Sequence, residues 1–157
     1  MSSAVGTEID RNLPAAADFA YRLRELLGDA STAILTIAGG PAGMGSCPLL
    51  IQSLDESATL WLLSSRRAMA TMKIITEHPL ALVIIPARTG RHLVLHGRGL
   101  RPAEIPYTSA THWPDGLRAW FPRGPEDSNL RLLEIPITGA DCWDGLVHRR
   151  IEPVPAT

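Results

Sequence analysis

The chain has 157 residues, 45% of them apolar, with 15 Lys and Arg against 16 Asp and Glu. That length fits one domain able to bury a core without disulfides or a structural metal. The near-neutral balance excludes the basic footprint of a nucleic-acid binder and the polybasic patch of a membrane-docking protein.

The opening residues, MSSAVGTEIDRN, carry acidic side chains and no apolar stretch, so they read as a flexible arm and not a signal peptide. No apolar run reaches the ~18 residues of a membrane span, and a cytoplasmic location is expected. From Pro14 the period becomes helical. Phe19, Leu23, Leu26 and Leu27 fall on one stripe, Pro14 suits a first helical turn, and Gly28 suits a stop.

STAILTIA (31–38) is a strand rich in β-branched residues, GGPAGMG (39–45) a turn, and SCPLLIQS (46–53) the returning strand. Pro48 has no N–H to give a ladder, which predicts an edge position or a bulge. DES (55–57) turns the chain into a third strand, ATLWLLS (58–64). After two serines and two arginines the period changes. Residues 67–77 then read as a helix, with Met69, Met72 and Ile75 at helical spacing.

PLALVIIPA (79–87) is a short continuous apolar run and predicts a buried strand; RTG (88–90) turns it into RHLVLHGRGLR (91–101). There His92, Val94, His96 and Arg98 share one face, and Leu93, Leu95 and Gly97 the other. Residues 102–129 are rich in Pro and Gly, with a short helix expected around 115–121. LRLLEIPITGADCWDG (130–145) supplies one or two final strands, and HRRIEPVPAT is a polar tail. The expected organisation is an arm at 1–12, one domain at 13–152 and a tail at 153–157. About six strands with hairpin-length turns, and one helix between well-marked strands, favour an antiparallel barrel over a parallel α/β sheet.

Cys47 and Cys142 have no metal-ligand spacing and are expected as free thiols. His92 and His96 share a face but stand about 13 Å apart along the strand, at about 3.3 Å per residue. They cannot chelate one ion, and no metal site is expected.

The order of helix, hairpin, LW strand, short helix, HP, buried strand, R-x-L-x-L-x-G-R strand, AWFP and late C-W-D-G resembles the FMN-binding split-barrel family. That family includes pyridoxamine 5′-phosphate oxidase, and the general stress protein 26-like group is the branch most similar. LRAWFPRGPEDSNLRLLEI (117–135) and DCWDG (141–145) carry the resemblance most specifically, and it covers roughly residues 20–150. It implies a mainly β fold: a six-stranded antiparallel split β-barrel with an N-terminal helix and short peripheral helices. It also implies a homodimer with FMN in a groove at the interface. In such a protein the isoalloxazine supplies the redox chemistry and the chain positions and tunes it.

The resemblance also implies which residues would meet FMN. In the stress-protein group the second strand often reads S-R-P-M, its Arg on the phosphate. Here the chain reads Ser46-Cys47-Pro48-Leu49, and Cys47 offers neither the charge nor the planar fork of Arg. Ser64 and Ser65 match the Thr/Ser positions at the corner where the third strand meets the helix. The Lys usual on that helix falls at Ala70 or Thr71, and Lys73 lies further along. Arg66 and Arg67, beside the helix start, either replace the missing cations or are solvated surface arginines. If they do not compensate, FMN is held weakly or not at all.

On the ring side, His92 stands where related oxidases often carry a Gln near the flavin, and is otherwise an exposed strand-end His. Trp143 matches a Trp that packs on the cofactor from the partner chain, and is otherwise a core or interface Trp. Arg149 matches a basic tail that helps bind substrate or phosphate, and is otherwise an exposed cation. The implied function is an FMN-dependent oxidoreductase acting on an unidentified small molecule. True pyridoxamine 5′-phosphate oxidase activity is disfavoured by Cys47 and by the divergent tail. The alternative is a split-barrel homodimer that has lost tight FMN binding and serves as a ligand-binding or stress-associated interaction protein.

Overall fold

The computed structural model describes residues 15–40, 43–68, 79–86, 90–108 and 112–154. Helix α1, Ala15–Leu27, buries Phe19, Ala20, Leu23 and Leu27 on the stripe expected from the sequence. It stops at Gly28, whose φ of 54° is the left-handed conformation that a helix end needs and glycine supplies at no steric cost. Arg24 donates to the carbonyl of Leu54 at 2.9 Å and Arg22 to that of Glu152 at 3.0 Å, so the polar side of the helix is tied to two strand ends.

Strands β1 (Thr32–Gly40), β2 (Gly43–Leu54), β3 (Thr59–Ser65), β4 (Pro79–Ile84), β5 (Arg91–Arg98) and β7 (Leu130–Asp144) form the barrel. They pair antiparallel in the order β3-β2-β1-β4-β5-β7, and β3 closes on β7 from Thr59↔Pro136 to Ser65↔Leu130. Two further strands lie outside the ring and pair with β7: β6 (Arg101–Ala103) and β8 (Val147–Ile151). The expected six-stranded antiparallel barrel with its N-terminal helix is therefore the observed one.

Alternation decides the interior. On β5, Leu93, Leu95 and Gly97 are buried while His92 and Arg98 are exposed. Gly97 is needed by close approach, because a Cβ there would lie 2.6 Å from Ile135 Cγ2. The interior joins leucines of all six barrel strands to α1, and also takes Cys47 and Cys142. A second cluster, Leu50, Leu63, Leu130 and Leu132 with Trp113 and Phe121, lies under the irregular segment after β6. That segment contains the expected short helix as α2, Asp115–Arg118.

Pro48 lies within a strand paired on both sides overall. However, the β2–β3 ladder begins only at Leu50↔Leu63, so at Pro48 itself one side is unpaired, as its missing N–H requires. The segment 130–145, expected as one or two strands, is one strand of 15 residues. Residues 148–151, expected within a polar tail, belong with Val147 to β8. The helix expected at 67–77 begins with helical backbone at 66–68; the rest of it, with Thr71, lies outside the described residues.

Candidate functional site

Two groups of the expected site residues come together in this chain, at opposite ends of β7. The first is the corner where β3 ends. The β2–β3 register carries the Ser46–Cys47 end of β2 toward the Ser64–Arg66 end of β3. Ser46 is exposed, while Cys47 turns into the barrel against Leu35 and Leu49. Burial pushes its thiol up, so it stays neutral and offers no charge to an anion. Ser64 and Ser65 face opposite sides of the strand. Ser64 is buried on the side of Leu60 and Leu62, and its Oγ has no partner among the described residues.

The helix start at this corner is already capped from within. The Oγ of Ser65 accepts the Ala68 N–H at 3.0 Å, an ordinary N-cap bond. The Arg66 N–H donates to the Asn129 carbonyl at 2.8 Å, and the Arg67 N–H to Asn129 Oδ1 at 3.3 Å. Asn129 is itself fixed by its N–H on Asp127 Oδ1 at 2.9 Å. What the corner does present is charge. Arg66 and Arg67 are exposed and, with Ser128 and Asn129, line a cavity of about 410 Å³. An anionic phosphate fits these residues through guanidinium groups, not through a cradle of backbone N–H groups.

The second group lies on the outer face at the far end of β7. His92 and Trp143 are cross-strand partners between β5 and β7, and Trp143 is the partner of His148 on β8. The Trp143 and His148 rings lie 4.7 Å apart at 37°, and 41% of Trp143 remains exposed. Arg149 pairs with the buried Cys142 and so points away from the Trp143 face. Within one chain it does not join this group.

Beside Trp143 is a cluster that the sequence reading did not assign. Asp141 Oδ2 accepts from His96 Nε2 at 2.6 Å and from Arg150 at 2.9 Å, and Oδ1 accepts from His148 Nε2 at 2.7 Å. A carboxylate only accepts, so both imidazoles carry their proton on Nε2. Partial burial would raise the carboxyl's pKa, but the hydrogen bonds from His148 and His96 and the charge of Arg150 outweigh it and hold it at about 2. The signal in the sequence was the alternation itself: D-x-W on β7 facing H-x-R on β8. Asn129 was missed for a different reason, since it caps a corner 62 positions away. Among the described residues no group of His, Cys, Asp and Glu is arranged to hold a metal ion. No helix among them is long and apolar enough to cross a membrane.

The model of a family described as pyridoxamine 5′-phosphate oxidase-like matches residues 18–152. No curated protein matches the sequence. Among solved structures, the chain is similar to a Clostridium acetobutylicum protein related to general stress protein 26, of the pyridoxine phosphate oxidase family. The two share 15% identity over 87% of this chain and 95% of that one, with a TM-score of 0.64. General stress protein 26 from Bacillus anthracis is similar at 14% identity over 85% and 97%, with a TM-score of 0.62. A general stress FMN/FAD binding protein from Xanthomonas citri is similar at 18% identity over 89% and 97%, with a TM-score of 0.61. At such identities these likenesses concern the fold.

Proposed function

This chain belongs to the pyridoxamine 5′-phosphate oxidase-like family, and from that premise we propose that it is a cytoplasmic, homodimeric FMN-binding oxidoreductase acting on a small organic molecule. The observation that carries the reading is the cavity at the end of β3, walled by Arg66 and Arg67, on a fold shared with a protein named for FMN/FAD binding. Bound flavin would supply hydride exchange, which the amino acids themselves lack. Arg66, Arg67 and the Ser65 hydroxyl would hold the phosphate. His92 would hydrogen-bond a ring heteroatom, and Trp143 would pack on the ring.

Distance along β7 supports the dimer reading. Leu130 at the corner and Trp143 are thirteen positions apart on one strand, roughly 40 Å of extended chain. One flavin would not span that length of strand within a single chain. In the proposed dimer it would meet both groups, with a second copy bringing its Trp143 to the first copy's corner.

The test is titration of the full chain with FMN, read by flavin fluorescence, together with light scattering. A saturable micromolar interaction in a dimer supports the proposal. A monomer at micromolar concentration, or no quenching at saturating FMN, refutes it. The capped helix start and the inward Cys47 favour a second reading, a split-barrel dimer without tight FMN binding that takes another ligand. Absence of any flavin signal in an intact dimer is its expected result.

A further inference from the structure

We infer that the cleft between the start of β1, the second half of β2 and α2 is a binding site for a small, uncharged aromatic molecule that carries a carbonyl group. The inference goes beyond the flavin reading and does not depend on it, since Arg66, Arg67, Ser128 and Asn129 line a different cavity.

The cleft has a volume of about 270 Å³. Small-molecule pockets run from about 300 Å³ upward, so this one suits a single substituted ring. Leu50, Ile51 and Leu117 give it an apolar lining, and Trp120 adds an indole that keeps 44% of its surface exposed. The backbone at Trp120 is held in place. Its N–H donates to the Leu117 carbonyl at 3.1 Å, and Phe121 beside it is buried and packs edge-on against Trp113. A flat ring can stack on that indole without first ordering the chain that carries it.

Gln52 supplies the polar group. The β2–β3 ladder shifts register between Ile51 and Ser53, which leaves Gln52 as the extra residue of a bulge. Bulges re-aim side chains and are common beside binding sites. The Tyr107 O–H donates to Gln52 Oε1 at 3.0 Å, which engages the acceptor of the amide and sets its orientation. Among the described residues the two N–H donors of that amide have one contact, the Ile51 carbonyl at 3.4 Å. That is longer than the about 2.7–3.2 Å of an ordinary bond, so a better acceptor gains from replacing it. A carbonyl on a flat neutral ring meets both features at once: its oxygen accepts from Gln52 Nε2 while the ring lies on Trp120. None of the described residues lining the cleft carries a charge, so a carboxylate would lose hydration there with no cation to offset the loss.

The test titrates the full chain with benzamide and with benzoate, read by NMR of the indole N–H signals, with Trp120→Phe assigning the Trp120 signal. The expected result is a saturable shift at Trp120 with a dissociation constant of roughly 1 mM, the scale for a ligand of about nine non-hydrogen atoms, and benzoate at least about tenfold weaker. Gln52→Leu should weaken benzamide about tenfold, and Trp120→Ala at least as much. A Cβ at Gly116, which lines the cleft, would meet no atom within 4 Å, so Gly116→Leu starts in open space and should also weaken binding. No saturable shift at Trp120 overturns the inference, as does an affinity that all three substitutions leave unchanged. Loss of molecular mass by light scattering in a folded Trp120→Ala variant would assign the cleft to a second copy and overturn it too. The FMN titration is read separately, and its failure leaves this inference standing.

Discussion

Replacing Asp141 by Asn tests whether the carboxylate between His96, His148 and Arg150 holds β8 to the barrel. The isostere keeps one carbonyl oxygen, which can occupy the Oδ2 position and accept from His96 and Arg150. Its NH2 then faces His148, which can shift tautomer and accept. Geometry is nearly conserved and the charge is lost, so three charge-assisted bonds become neutral ones of roughly half the strength. The magnitude follows from the carboxyl's own titration. Its value falls from an ordinary 3.8 to about 2, which corresponds to roughly 2 kcal/mol of stability at neutral pH. A fifth of the side chain is in solvent, so screening reduces this to about 1–2 kcal/mol.

The sign is fixed by the direction of the shift. A lowered folded-state pKa contributes stability above about pH 4, and that contribution is lost as pH falls through about 2. Urea denaturation at fixed protein concentration should therefore show Asp141→Asn less stable at pH 7 by about 1–2 kcal/mol, with the two proteins converging near pH 2. Amides of 147–151 should exchange faster in the variant, since β8 pairs with β7 alone. Equal stability at pH 7, or a gap that persists undiminished to pH 2, would refute the reasoning.

Other outcomes are expected from the same structure. Gly97→Ala puts a methyl 2.6 Å from Ile135 Cγ2 and 3.1 Å from the Pro136 carbonyl, and should cost about 1–3 kcal/mol, visible as a drop of several degrees in Tm. Ser65→Ala removes the bond to the Ala68 N–H and should cost about 1 kcal/mol, with faster hydrogen exchange at that amide; unchanged exchange would mean the cap is not formed. Burial that raises the Cys47 thiol should make its maleimide labelling near pH 8 at least about tenfold slower than that of a free thiol, with mass mapping to separate it from Cys142. Rapid labelling of Cys47 in the native protein would place it at the surface instead.

The barrel was legible because its strands carry their own burial signal. The run LALVII between two prolines gave β4, and the alternation from Arg91 to Arg98 gave β5 with the correct inward set. The stripe of Phe19, Leu23 and Leu27 gave α1 and its stop at Gly28. β8 was not legible, since it is an outer strand whose first four residues are all exposed. Its reason to be a strand is the partner at Asp141, a contact set by tertiary register. Pro136 lies in the middle of 130–145 without dividing it. In the fold it sits opposite Thr59, and the ladder hands over at the next residue, where Ile137 donates to the Ala58 carbonyl at 2.9 Å. The corner was located correctly along the chain, but its capping by Asn129 is a long-range bond with no local trace.

That handover gives β7 a role beyond closing the barrel. Its first half runs between β3 and β6, and its second half between β5 and β8. One extra residue, Thr138, is accommodated where His96 pairs with Gly139 and Gly97 with Ile137, and its hydroxyl donates back to the His96 carbonyl at 3.2 Å. The bulge keeps Ala140 and Cys142 inward and Asp141 and Trp143 outward on the second half, while Leu133 and Ile135 point inward on the first. A single strand thereby fixes both Asn129 at the corner and Trp143 on the outer face. The backbone beside either group cannot shift without disturbing β7, the longest strand among the described residues. In the dimer we propose, a ligand would meet the two groups from two copies, and selectivity for it would lie in how the copies dock, more than in any local rearrangement of the corner.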